Sequence, residues 1–224
     1  MTRTVRVLGK IALAALAGAA VGRAGRSAHL LPAGGWGPFP PAMLVSAALW
    51  VGFSIYWSIA ATNRAPSRSG ESIVSRQFHV IAVNVALVVL LVPIPGLIRR
   101  IVADTIALHI LGLTVQAAFI GLAIWARRHL GSNWSGEVRI AHTHELVRSG
   151  PYRYVRHPIY TALVGMYIGT ALVSGQIHAL AALGIVLLAY WRKIRLEEQA
   201  LSAAFPSDHE RYRRDTWAWI PGLY

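Results

Sequence analysis

The stretch IYTALVGMYIGTALVSGQIHALAALGIVLLAYW, residues Ile159–Trp191, decides the fold. It contains no Asp, Glu, Lys or Arg. As one helix it would run about 50 Å at ~1.5 Å per residue, well beyond the ~30 Å of a bilayer's hydrocarbon. Ser174-Gly175-Gln176 sits near its middle and is a turn signal. The spacing therefore predicts a tight helical hairpin with arms over 159–173 and 177–193. Gly165 and Gly169 form a GxxxG in the first arm, and small residues at that spacing let helices approach closely. We read it as a packing face.

Outward from the hairpin, three more runs reach membrane length: Pro41–Thr62, Gln77–Ile98 and Asp104–Trp125. Val7–Gly22 is shorter and rich in Ala and Gly, with Arg3, Arg6 and Lys10 ahead of it. It fits a short first span or a cleaved leader, and the charge distribution works best with a retained span. The composition agrees: of 224 residues, 55% are hydrophobic and 14% charged, where a soluble domain averages about 25% charged. The expected class is all-α, a polytopic integral membrane helical bundle with no Rossmann domain. Residues 1–125 would form the N-terminal spans. Residues 126–224 would hold a connecting cap (126–157), the hairpin (158–193) and a cytosolic tail (194–224).

A net charge of +13 could point to nucleic acid. The basic residues instead cluster between apolar runs, leaving no soluble domain to form a groove, so no nucleic-acid partner is expected. With the connection after Thr62 in the cytoplasm, the 22 basic residues divide eighteen to four. Only Arg23, Arg26, Arg99 and Arg100 fall on the other side. That bias predicts cytoplasmic N- and C-termini, with residues 126–157 and the tail on one face. The absence of cysteine excludes disulfides, thiolate metal sites and a cysteine nucleophile.

The hairpin brings two polar segments together. Arg156-His157-Pro158 stands at its entrance and Glu197-Glu198 beyond its exit. Pro158 suits a helix's first turn, where its missing N–H costs nothing, and Gly150-Pro151 before it is a turn signal. A solvated, salt-bridged helix end is the plain reading of Glu197-Glu198 beside Arg192, Lys193 and Arg195. Convergence of both segments at a membrane surface, with Tyr152, Tyr154, Tyr160 and Tyr212 near, favours a site. His142-Thr143-His144, with His129 or His157, is a weaker candidate metal group, and no metal is expected. His79 and His109 lie within spans and are read as packed histidines rather than a proton path.

HELVRSGPYRYVRHPIY (144–160), LEEQAL (196–201) and the tail pattern F-P-S-x-H-x-x-Y-x-x-x-x-x-x-x-I-P (205–221) together resemble the isoprenylcysteine carboxyl methyltransferase family. More broadly, they resemble the membrane methyltransferases that include phospholipid N-methylating enzymes. The likeness is dense from about Gly131 to Pro221. It implies S-adenosylmethionine as cofactor, S-adenosylhomocysteine as product, and a cytosol-facing cofactor pocket. His144, Leu146, Val147, Tyr152, His157, Pro158 and Tyr160 would line the cofactor, and Glu197 and Glu198 would face its polar groups. Arg156 would stand closest to the site among the cap arginines, and Lys193 falls where the family's substrate-facing arginine would. Lysine lacks the bidentate fork. After Phe205 the chain has Pro206-Ser207-Asp208-His209, where family members usually carry glycine and tyrosine. Trp217, Trp219 and Tyr224 are read as interfacial anchors.

The resemblance implies a lipophilic acceptor entering sideways from the bilayer, most simply a carboxylate of isoprenylcysteine type. A phospholipid or other lipid amine is the alternative acceptor. From another class, an NADPH-dependent membrane reductase of sterol type would use Arg148, Arg153 and Arg156 on a diphosphate. The sequence leaves the oligomeric state open.

Overall fold

The computed structural model describes residues 41–60, 71–92, 94, 96–97, 99–131 and 146–222. The expected first span, Val7–Gly22, lies outside them. Among the described residues the secondary structure is helical, with two isolated bridges and no named strand. The helices are α1 (Pro41–Ala60), α2 (Ile73–Leu91), α3 (Ile106–Leu130), α4 (Pro158–Ser174), α5 (Ile177–Ala204) and α6 (Pro206–Asp215). A 3₁₀ turn, Gly150–Arg153, precedes α4. By length and apolar character α1, α2, α3 and α5 can each cross a bilayer, and α4 is a shorter apolar helix. The chain is an all-α polytopic membrane protein.

The expected spans shift at their ends for local reasons. α2 begins at Ile73 because Ser72 caps it, the Ser75 backbone N–H donating to Ser72 Oγ at 3.1 Å. It ends at Leu91, just ahead of Pro93 in the sequence. The hairpin turns where expected, Gly175 taking φ 60°, a left-handed conformation that favours glycine. α5 runs past 193 to Ala204. The residues RKIRLEEQALSAA include no breaker, and Pro206 follows. Glu197 and Glu198 therefore stand on helix and not in a tail, and the tail expected from 194 begins only after Ala204.

The chain forms two compact units, and α2 to α5 each contribute residues to both. The first comprises α1, residues 85–117 and residues 167–183. Its interior holds a polar network between three helices. Ser46 Oγ donates to Gln116 Oε1 at 2.7 Å, Gln116 Nε2 to the Ser46 carbonyl at 3.1 Å, and Trp50 Nε1 to Thr170 Oγ1 at 3.0 Å. Ser46, Gln116 and Thr170 are fully buried. Such bonds hold helices together where lipid offers no alternative partner. A Cβ on Gly169 would lie 2.6 Å from the Gly112 carbonyl oxygen and the Gln116 nitrogen, so α3 and α4 touch backbone to backbone. The GxxxG is a packing face here. His109 Nε2 lies 2.9 Å from Asp104 Oδ1, and the His178 ring bonds the Val89 carbonyl at 2.7 Å.

The second unit comprises residues 61–84, 118–166 and 184–224. Within it, the segment after α6 returns along the entrance to α4. The Arg156 and His157 backbone N–H groups donate to the carbonyls of Trp217 and Ala218, each at 2.9 Å. Thr161 Oγ1 donates to the Trp219 carbonyl. Trp217 is half exposed, whereas Trp219 is buried because its segment straps the start of α4. Tyr224 lies outside the described residues.

Candidate functional site

Every side chain of the site belongs to the second unit. α5 carries Lys193, Glu197 and Glu198, with Lys193 and Glu197 one helical turn apart. Pro158 opens α4 and is fully buried; it leaves His157 just before the helix and Tyr160 in its first turn. Glu71 sits two residues before α2.

These elements gather three carboxylates with unequal partners. Glu198 takes most of the positive charge: Arg156 Nε at 3.0 Å and His157 Nε2 at 2.9 Å, with Arg213 Nε at 3.6 Å and His209 Nε2 at 3.7 Å. Glu71 holds Lys193, Nζ to Oε2 at 2.6 Å, and both side chains are 3% exposed. It also accepts from Ser75 Oγ at 2.7 Å, and Ser75 in turn accepts from Arg192 Nη2 at 2.8 Å. Glu197 meets its cations at longer range, His157 Nδ1 at 3.4 Å and Lys193 Nζ at 4.0 Å. Its short bond, 2.6 Å, comes from the neutral Tyr160 hydroxyl. At 20% exposure against 13% for Glu198, Glu197 is the most open of the three. It is the carboxylate whose charge is least spent on partners.

Aromatic rings line up beside it. His157 stacks on Tyr160 with centroids 5.7 Å apart, Tyr160 on Tyr190 at 5.0 Å, and Tyr190 meets the His79 ring edge-on at 5.4 Å. Burial opposes charge on the His157 ring, but the Glu197 and Glu198 carboxylates outweigh it and raise its pKa. His209 is pushed the other way, chiefly by burial, with Arg156 and Arg213 adding to the shift against the pull of Glu198. Burial raises the Tyr152 and Tyr212 hydroxyls.

The predicted residues separate into groups. His157, Tyr160, Glu197, Glu198, Arg156 and Lys193 come together. Arg156, 7% exposed, spends its guanidinium on Glu198 and on the Thr216 carbonyl. Lys193 is closed off by Glu71. Neither cation faces outward, and both brace carboxylates, which departs from the acceptor-facing place expected for Lys193. Tyr152 is buried and its carbonyl accepts the Tyr212 hydroxyl at 2.5 Å. Leu146 and Val147 are half-buried in the segment before the 3₁₀ turn. His144 lies outside the described residues, as does the rest of His142-Thr143-His144, while His129 Nε2 pairs with Ser149 Oγ at 2.7 Å. Among the described residues no three His, Cys, Asp or Glu side chains form a metal-binding group.

Sequence reasoning missed Glu71, Tyr190, His209 and Arg213. The signal for Glu71 was available: the chain has only nine acidic residues, and this one adjoins an apolar run.

Residues 107–208 match the family pattern described as phospholipid methyltransferase. Among individual relatives, the protein-S-isoprenylcysteine O-methyltransferase of Schizosaccharomyces pombe is 33% identical over 79 residues, 35% of this chain and 34% of that protein. The cobalt-zinc-cadmium resistance protein CzcN of Cupriavidus metallidurans is 41% identical over 80 residues, 35% of this chain and 36% of its own length. An uncharacterized protein of Haemophilus influenzae is 32% identical over 98 residues, 43% of this chain and 57% of its own. The matched stretches thus span between about a third and somewhat over half of these relatives. Across residues 107–208, which include RHPIY and LEEQAL, the chain carries the phospholipid methyltransferase pattern, and its resemblance to the membrane methyltransferases rests on that pattern and on a named relative alike.

Proposed function

We propose that the protein is an integral-membrane methyltransferase that uses S-adenosylmethionine and methylates the carboxylate of a lipophilic acceptor of isoprenylcysteine type. Residues 126–224 would carry the activity, on the cytoplasmic side. The observation that supports this best is the unequal pairing of the three carboxylates. It leaves Glu197 as a partly open anion beside stacked rings, a setting suited to a sulfonium cation. Aromatic faces add a cation–π attraction of ~1 kcal/mol. The donor set therefore fits the cofactor.

When bound, S-adenosylmethionine supplies an electrophilic methyl group. Glu197 would hold its positive charge, Tyr160 would fix the Glu197 rotamer through their 2.6 Å bond, and His157 and Pro158 would form the wall at the start of α4. Leu146, Val147 and Tyr152, with His144 and Glu198, complete the proposed cofactor side. Arg156 and Lys193 act as positioning residues. A carboxylate acceptor, which ordinarily titrates near pH ~3.5, is ionised at neutral pH, so no general base is required. The protein's work is alignment and exclusion of water.

The family pattern favours a second reading, a lipid amine acceptor. The reductase reading loses support because Arg148 and Arg156 already serve Asp208 and Glu198. One experiment separates the acceptors. Purified protein is incubated with methyl-labelled S-adenosylmethionine and either a prenylcysteine or a phosphatidylethanolamine vesicle. Base-labile label, released as methanol, supports the carboxylate; base-stable label on the lipid amine supports the second reading; no transfer to either overturns both.

A further inference from the structure

We infer that Glu71 is a positioning residue for the methyl donor: by holding Lys193, it keeps that ammonium from pairing closely with the Glu197 carboxylate. This rests on the reading of Glu197 as the donor-facing anion. Lys193 Nζ lies 2.6 Å from Glu71 Oε2 and 4.0 Å from Glu197 Oε1, so one ammonium stands between two carboxylates and is committed to the remoter in sequence. Lys193 and Glu197 are four residues apart on α5, a spacing at which a lysine and a glutamate can reach each other. Glu71 takes the lysine instead. Its hold is fixed in turn, since its second oxygen accepts the Ser75 hydroxyl at 2.7 Å and Ser72 caps the helix that carries Ser75.

With Glu71 neutralised, the carboxylate next to the buried ammonium among the described residues is Glu197, at 4.0 Å. Pairing there would cancel the charge that attracts a sulfonium. The consequence is specific to charge. S-adenosylmethionine carries a positive sulfur, whereas S-adenosylhomocysteine has the same adenosyl and amino-acid groups on a neutral thioether. A loss of shape would weaken both ligands, and a loss of free negative charge would weaken the first alone.

Equilibrium binding of both ligands to the full-length protein in detergent tests the assignment. Glu71→Gln is expected to lower the preference for S-adenosylmethionine over S-adenosylhomocysteine roughly tenfold, the effect of about 1.4 kcal/mol. The double variant Glu71→Gln, Lys193→Met removes the ammonium that would move onto Glu197 and is expected to restore the preference. Equal weakening of both ligands, or a loss that persists in the double variant, overturns the inference. Should Glu71→Gln fail to fold, Glu71→Asp loosens the same bond and is expected to lose part of the preference; an unchanged preference overturns the inference. Wild-type protein that binds neither ligand defeats the methyl-donor reading itself, a distinct result.

Discussion

Substitution of Glu197 by glutamine is the most direct probe of the site. The amide keeps the volume and can still accept the Tyr160 hydroxyl, so packing along α5 is preserved. What is lost is one negative charge on a group 20% exposed, flanked by cations at 3.4 and 4.0 Å. A hydrogen bond or contact to a charged group contributes about 1.5–3 kcal/mol. At ~1.4 kcal/mol per factor of ten, S-adenosylmethionine affinity should fall roughly ten- to a hundredfold. Bare Coulomb attraction at 4 Å would give ~4 kcal/mol at an effective dielectric constant near 20. Glu197 is partly exposed, so the lower range is the better expectation.

The assay is titration calorimetry on the wild type and the variant in the same detergent, with S-adenosylhomocysteine as the uncharged control. Thermal unfolding followed in parallel reports whether the bundle is intact. A folded Glu197→Gln protein with wild-type affinity for S-adenosylmethionine would refute the assignment of Glu197 to the donor. Equal losses for both ligands would show that its charge is not what the donor reads.

Cysteines placed at Ser149 and Ser207, in a chain with none of its own, should both react with an impermeant thiol reagent from the same side of the membrane; reaction from opposite sides would overturn the hairpin. Arg156→Ala removes a buried partner of Glu198 and should cost about 3 kcal/mol, while Arg148→Ala, whose side chain is 35% exposed, should cost under ~1 kcal/mol; denaturant titration compares them. Because the folded His157 pKa is raised above its unfolded value of ~6.5, its ion pairs stabilise the fold fully below that pH and lose their effect as pH rises through the folded value. His157→Gln should therefore flatten the alkaline decline in stability, and an unchanged pH profile of unfolding would contradict the pairing. Gly169→Ala places a Cβ 2.6 Å from backbone atoms of α3 and should destabilise by about 1–3 kcal/mol, read as a lowered melting temperature.

The hairpin was legible because its signals are local. A run too long for one span, a glycine near its middle and a proline at its start fix α4, the turn and the direction of α5. The site was legible only where those signals aim side chains. His157, Tyr160, Glu197 and Glu198 meet because the entrance and exit of one hairpin must adjoin. The α5 boundary lies beyond the apolar run because hydropathy marks only where that run ends, whereas the helix continues on propensity through the charged RKIRLEEQ segment to Ala204, ahead of Pro206. The burial of Trp219 is hidden from local sequence for a related reason. A tryptophan near a chain end suits an interface, and only backbone pairing with residues 154–157 shows that its segment is a strap.

The Glu71–Lys193 bond spans 122 residues, and no local pattern brings those two together. What the sequence did contain was a scarcity: nine carboxylates for 22 basic residues. In such a chain a buried lysine needs an acid, because an unpaired buried charge is costly. The nearest candidate along α5 is Glu197. Had Glu197 met that need, it would have had little charge left for a donor. A site that uses Glu197 as an anion therefore requires a second acid for Lys193, and Glu71, at the entrance to α2, supplies it.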